Sequence, residues 1–415
     1  MNGWLRICFF NLLLVATLGV LLRYKIAFSL PIVLQKNVLH SHSHFAFNGW
    51  ITQCMMVLMV HYLGTRKMSD AFTRYKPFLI LNVLIAYAML VSFIFQGYAL
   101  ASISFSTLSI FTSYLFTYCY WQDLKSVAGN NASHLWFKAG LVFNMLSSLG
   151  AFALAVIMAN HIADQKISLA AIYYFLHFQY NGWFFFTCMG LFFTRFNLAG
   201  STLHKKIFWL FAIACVPAYF LSVLWAAIDP ILYWLVVAAS IAQTVGWVLF
   251  IKMLSANRSA LKAGFGKIGA WLLMLSVVAC SIKIALQQFS VLPFLSTLAF
   301  GFRPIVIGYL HLVLLGVITL FLIGFIVTSQ LIAVGKAARV GIGIFVAGII
   351  LNEVFLMTQG VGAISDVIIP NLSVALLCVA LIMFIGLLLM NCSIGKQEPP
   401  ISDRPAESSD GRLVL

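Results

Sequence analysis

Three histidines each head the same short pattern. His44 opens His-Phe-Ala-Phe-Asn-Gly-Trp, which ends at Trp50, and His177 opens His-Phe-Gln-Tyr-Asn-Gly-Trp, which ends at Trp183. His311 opens a looser copy, His-Leu-Val-Leu-Leu-Gly-Val, which ends at Val317. The copies lie 133 and 134 residues apart, and a fixed period of that kind indicates a threefold internal repeat. Neutral imidazole is the commonest side-chain ligand for metal ions and for haem iron. The glycine five residues on lies near the same helix face. With no side chain there, a flat macrocycle or another backbone can approach closely. Histidine, glycine and aromatic walls together fit a haem pocket. For any single copy the plainer account is close helix packing with hydrogen bonds between helices.

The elements that must hold these residues are membrane spans. The chain is 63% hydrophobic and 8% charged, a balance that only apolar segments of about 20 residues in series produce. The formal charge of +15 does not indicate nucleic acid, because the lysines and arginines sit in short loops between apolar runs, where they set membrane orientation. Eight scattered cysteines, without a Cys-x-x-Cys pair, define neither a disulfide framework nor a thiolate metal site. The first apolar run, from Trp4 to Leu22, lacks a small-residue cleavage site and is followed by Arg23 and Lys25. It reads as a retained helix and not as a cleaved signal.

The expected fold is all-α, with about twelve transmembrane helices in three pseudo-repeated arcs of four. The predicted spans lie near 4–22, 42–63, 77–98, 101–121, 136–159, 168–194, 207–227, 231–252, 268–289, 304–329, 340–359 and 370–392, each able to cross roughly 30 Å of hydrocarbon. Alternate loops carry most of the positive residues, among them Arg66, Arg74, Lys205, Lys206 and Arg339. That bias places both termini in the cytoplasm of a bacterial-type inner membrane. Residues 1–395 form the transmembrane domain, and 396–415, rich in Pro, Ser and acidic residues, read as a disordered cytoplasmic tail. The three histidines then fall in spans two, six and ten, all in the outer half of the bilayer. His40-x-His42-x-His44 could gather copper or zinc if extended, whereas on a helix the three would spread around about 200°.

Twelve helices with histidines in spans two, six and ten resemble the catalytic subunit of the haem-copper oxidases and the related nitric oxide reductases. They also resemble twelve-span haem and copper proteins of the nitrosative-stress response. The resemblance implies a b-type haem between His44 (with His42 as the competing ligand) and His311, and copper at His177. Two departures are plain. Tyr309 stands where the family places the ligand of its active-site haem, and span seven, about 207–227, contains no histidine. The resemblance therefore implies no complete binuclear centre and no oxygen reduction. It leaves electron transfer or a response to a diatomic gas, with a respiratory-chain or quinone partner in the lipid bilayer.

Three further groups are candidates. Lys283 and Glu353 are ionisable groups at membrane depth, where function is the default reading and a local hydrogen-bonded pair the plainer one. Arg303, before Pro304, opens span ten and could pair a haem propionate or anchor the interface. Two other functions stay open. One is a transporter or metal-handling protein whose repeats line a path. The other is a cofactor-free scaffold of a respiratory complex.

Overall fold

A computed structural model describes residues 1–66, 68–127, 131–195, 202–226, 228–296 and 302–395. The predicted tail, 396–415, lies outside the described residues. The chain is an all-α, multi-pass membrane protein. Among the described residues, ten helices are long and apolar enough to cross a membrane, from Asn2–Ala27 to Leu372–Ser393. Their outward faces are apolar, with Phe95, Leu100 and Ile231 largely exposed. Such a surface suits lipid and not water.

Two more helical rods, 35–65 and 165–195, run without interruption but change geometry on the way. The first comprises Gln35–His44, a π-helical segment Phe45–Thr52, and Gln53–Thr65. The second comprises Gln165–His177, a π-helical segment Phe178–Phe184, and Phe185–Arg195. The helix at Arg303–Thr328 contains a third π segment, Leu312–Thr319. Each π segment starts at the residue after His44, His177 or His311. In π geometry the backbone bond runs from i to i+5, so the glycine five residues after each histidine lies one π turn below it.

A π segment leaves carbonyls out of step with the α ladder, and neighbouring helices supply donors. Asn11 Nδ2 donates to the Gly49 carbonyl at 2.6 Å, Asn82 Nδ2 to that of Asn48 at 3.3 Å, and Ser276 Oγ to that of Val317 at 2.7 Å. The three rods meet at the centre of the bundle, where Trp50, Thr52, Trp183 and Thr319 join them. The remaining helices form a rim in which sequence neighbours pack side by side, and the first helix lies along the last. Arg6 reaches the Ile394 carbonyl and Asn391 that of Phe9. A two-residue antiparallel pairing of Ala333–Val334 with Ile394–Gly395 ties the segment after Thr328 to the end of the last helix.

The helix of span two begins earlier than hydropathy predicts. Its polar start, Gln35 to Ser43, is helical because its side chains bond to neighbouring helices. Asn37 donates to the Ile94 carbonyl, Ser41 to that of Leu90 and His42 to that of Val15. The extended arrangement considered for His40, His42 and His44 is therefore replaced by a helix. The break between spans three and four falls where the sequence places it. Gly97 adopts φ +62°, a left-handed conformation that favours glycine, and Ser102 Oγ closes the turn onto the Gly97 carbonyl at 2.6 Å.

Candidate functional site: paired histidines beside an arginine

On the helix Gln35–His44, His42 points away from His40 and His44. Its Nδ1 lies 3.1 Å from the carbonyl of Val15 on the first helix. A carbonyl only accepts, so Nδ1 carries the proton and Nε2 keeps its lone pair. His311 has the same tautomer for the same reason, since its Nδ1 donates to the Ile307 carbonyl at 2.8 Å. The two rings lie within electrostatic reach of each other. Both are half-buried, and neither Nε2 makes a hydrogen bond among the described residues. A ring tied through Nδ1–H to a carbonyl with Nε2 free is the usual arrangement of a metal-ligating histidine.

Arg23 lies within electrostatic reach of both imidazoles. It is half-buried near the end of the first helix, with no carboxylate partner among the described residues. Arg303, at the start of Arg303–His311, is exposed and does not act on His311 in this way. The cation beside the pair is therefore Arg23, which hydropathy assigns to a loop flank.

His44 belongs to a different neighbourhood. Its ring stacks on Phe93 at 4.3 Å and 11°, and its Nε2 lies 3.1 Å from the Tyr98 hydroxyl. His40 meets Tyr98 edge-on at 4.6 Å. His44 also borders a polar cleft of about 70 Å³ lined by Asn48, Ser109, Ser113, Asn144 and Gln179. Gln179 Nε2 donates to Asn144 Oδ1 at 2.9 Å and to Ser147 Oγ at 2.7 Å, and Asn144 Nδ2 donates to Ser113 Oγ at 2.6 Å. The Tyr114 and Ser148 hydroxyls are hydrogen-bonded to each other on the same wall. Sequence reasoning missed this cleft. Its signal was the hydroxyl content of span four, where Ser109 and Ser113 stand one turn apart among further serines and threonines.

His177 is buried, with both ring nitrogens engaged. Nε2 donates to the Cys215 carbonyl at 2.8 Å, and Nδ1 accepts from Asn181 Nδ2 at 3.1 Å. A metal ion there would require one of these bonds to open. Among the described residues, no group of three or more His, Cys, Asp or Glu side chains is arranged to hold a metal ion. Glu353 accepts from Asn352 Nδ2 at 3.2 Å, so its hydrogen bond is to its sequence neighbour and not to a histidine. A larger cavity, about 340 Å³, is apolar and bordered by Phe192, Trp247, Phe250 and Phe321. None of the histidines lines it, so its size does not mark the site.

No protein-family model matches this chain, and no curated protein is similar to it in sequence.

Proposed function

We propose that this is a twelve-span cytochrome-like membrane protein, with three arcs of four helices, that binds one b-type haem between His42 and His311. Both termini face the cytoplasm, as the charge bias of the loops suggests. The observation that carries the reading is the matched tautomer of His42 and His311. Each gives its Nδ1 proton to a carbonyl, each keeps an Nε2 without a hydrogen bond among the described residues, and the two rings lie within electrostatic reach. Haem would supply one-electron chemistry at a potential tuned by its surroundings. The chain's own residues do the rest. Val15 and Ile307 hold the ring orientations, and Arg23 offers a bidentate partner for a propionate. His42 replaces His44 as the preferred ligand, because His44 is engaged with Phe93 and Tyr98. Electron transfer, or a response to redox state or a diatomic gas, suits a six-coordinate centre. Oxygen reduction does not, given Tyr309 and a span seven without an adjacent pair of histidines.

The test is a reduced-minus-oxidised absorption spectrum of the purified, haem-supplemented protein. A sharp low-spin b-type band is expected in the wild type and in His44→Ala, and its loss in His42→Ala and His311→Ala. No band in well-folded wild type would end the cytochrome reading. Loss in His44→Ala with retention in His42→Ala would move the ligand back to His44.

A second reading, transport, draws on the polar cleft beside His44. Hydroxyl and amide groups gathered at membrane depth are what a path for a small polar solute requires. Solute uptake into vesicles that Gln179→Leu abolishes, while the haem band is unchanged, would favour it.

A further inference from the structure

The helices Pro230–Ala256 and Lys267–Ser290 are laced together over only half of their length. Gln288 Nε2 donates to Ser240 Oγ at 2.7 Å and to Thr244 Oγ1 at 2.6 Å, and Trp247 Nε1 donates to Ser281 Oγ at 2.9 Å. Between Trp247 and Ala256 no further hydrogen bond joins the two helices among the described residues. The apolar cavity of about 340 Å³ fills that interval, with Trp247 and Leu254 on one helix and Ala270 and Cys280 on the other. Phe192 and Phe321, from the second and third histidine-headed rods, also border it.

The cavity has the length and polarity of a lipid chain. Its lining on Lys267–Ser290 runs from Ala270 to Cys280, ten residues apart or about 15 Å. That is about half of the roughly 30 Å hydrocarbon layer, the depth of one leaflet. Met274 borders the cavity and yet is 57% exposed, so the cavity opens sideways towards the bilayer. An apolar space of this kind stays dry and takes up apolar molecules, and its walls forfeit packing contacts when it is empty. One turn beyond Cys280 the same helix carries Lys283, which is only 8% exposed and lies outside the cavity lining.

One end of the cavity is cationic. Arg258, two residues past the end of Pro230–Ala256, is exposed and belongs to the lining. Lys252 and Lys267 are exposed on the two flanking helices, and Lys267 precedes Ala270 by three residues. None of these three cations has a carboxylate partner among the described residues. Between Asp229 and Glu353 the sequence contains no acidic residue at all. A basic loop by itself only sets membrane orientation. Orientation does not require an arginine in the wall of an apolar cavity one leaflet deep. That combination matches an amphipath with an anionic head, and the two free oxygens of a phosphodiester suit bidentate arginine.

We propose that this cavity holds one acyl chain of an anionic phospholipid, whose phosphate pairs with Arg258. The site is separate from the His42–His311 pair and does not depend on haem. The probes are phosphatidylglycerol and phosphatidylcholine with brominated acyl chains, in vesicles that carry the full-length protein. Bromine in the cavity quenches the fluorescence of Trp247, which is only 5% exposed, and the quenching lost in Trp247→Phe isolates the share of that residue. Brominated phosphatidylglycerol is expected to quench Trp247 at a lower mole fraction than brominated phosphatidylcholine. In Arg258→Gln the apparent affinity for phosphatidylglycerol falls about tenfold, as the loss of a charge-assisted hydrogen bond implies. In Arg339→Gln, in another basic loop, it is unchanged. Ala270→Phe fills the cavity and abolishes the Trp247 share for both lipids. If that variant does not fold, Arg258→Gln, an exposed change, decides the question. Equal quenching by the two lipids in wild type, no Trp247 share, an unchanged affinity in Arg258→Gln, or tighter binding of oleate than of phosphatidylglycerol would overturn the proposal.

Discussion

The indole N–H of Trp50 donates to the Thr319 hydroxyl at 3.0 Å, joining the first histidine-headed rod to the third. Trp183 makes the corresponding bond to Thr52 at 3.4 Å, joining the second rod to the first. Trp50 and Trp183 lie six residues after their histidines, and Thr52 and Thr319 lie eight after theirs. The third junction would use Val317 and Phe185, and there the hydrogen bond is replaced by two apolar side chains. Trp50→Phe keeps most of the ring but strands the Thr319 hydroxyl, and should destabilise the bundle by about 1 kcal/mol. Denaturant unfolding in detergent would measure it. Adding Thr319→Val should recover part of the loss, and strict additivity of the two changes would argue against a coupled pair.

Arg23 should raise the midpoint potential of a haem held by His42 and His311, because a nearby positive charge favours the reduced form. Arg23→Gln is then expected to lower the potential by tens of millivolts, with about 59 mV corresponding to a tenfold change for one electron. Arg23→Lys should retain part of the effect. A redox titration that finds Arg23→Gln and wild type equal would remove Arg23 from the site.

Gly341 and Gly343 look alike in sequence but differ in the fold. A side chain at Gly341 would strike the backbone of Gly386 and Met390 on the last helix, whereas nothing lies within reach of Gly343. Gly341→Val should cost about 1–3 kcal/mol through overpacking. Gly343→Ala should be neutral, or stabilising by up to about 1 kcal/mol through helix propensity. Thermal unfolding of the two variants side by side would show the contrast.

Asp123 holds two partners near the end of Leu100–Ser126. It accepts from the buried Tyr75 hydroxyl at 2.8 Å and from Arg74 at 2.8 Å. Half of the Arg74 side chain is exposed, so most of the loss in Asp123→Ala should come from the stranded tyrosine, at about 1–3 kcal/mol. Arg74→Ala should cost well under 1 kcal/mol. Equal losses in the two variants would contradict that division.

Long apolar runs such as those at Ala71–Gln96 and Leu372–Ser393 declare themselves in the sequence, because burial in lipid is a property of composition. The positions of His44, His177 and His311 were legible too, since the motif repeats. Their π geometry was not, because it is a shift in backbone bonding that the same residues could avoid. Gln35–His44 was hidden by its polarity, whose partners, Val15, Leu90 and Ile94, are distant in sequence. Arg23 was hidden for a related reason. It lies 19 residues before His42 and 288 before His311, and beside Lys25 it resembles an ordinary orientation signal. That His42 and His44 face different neighbours needed the helix, which turns one to Val15 and the other to Phe93 and Tyr98.

Each π segment amounts to an α-helix with one residue inserted. One residue advances a helix by about 1.5 Å but rotates it by about 100°. The insertion therefore acts as a phase shifter, setting the angle between the histidine above and the tryptophan or threonine below almost independently of depth. Two halves of one rod can thus present different faces, one to a ligand and one to the neighbouring rod, with no change in hydrophobic composition. Forcing the residues between His44 and Trp50 into α geometry would leave a span of nearly the same length and polarity, yet turn Trp50 away from Thr319, and deleting one of them would turn it back. Angular register, invisible to hydropathy, is what these segments encode.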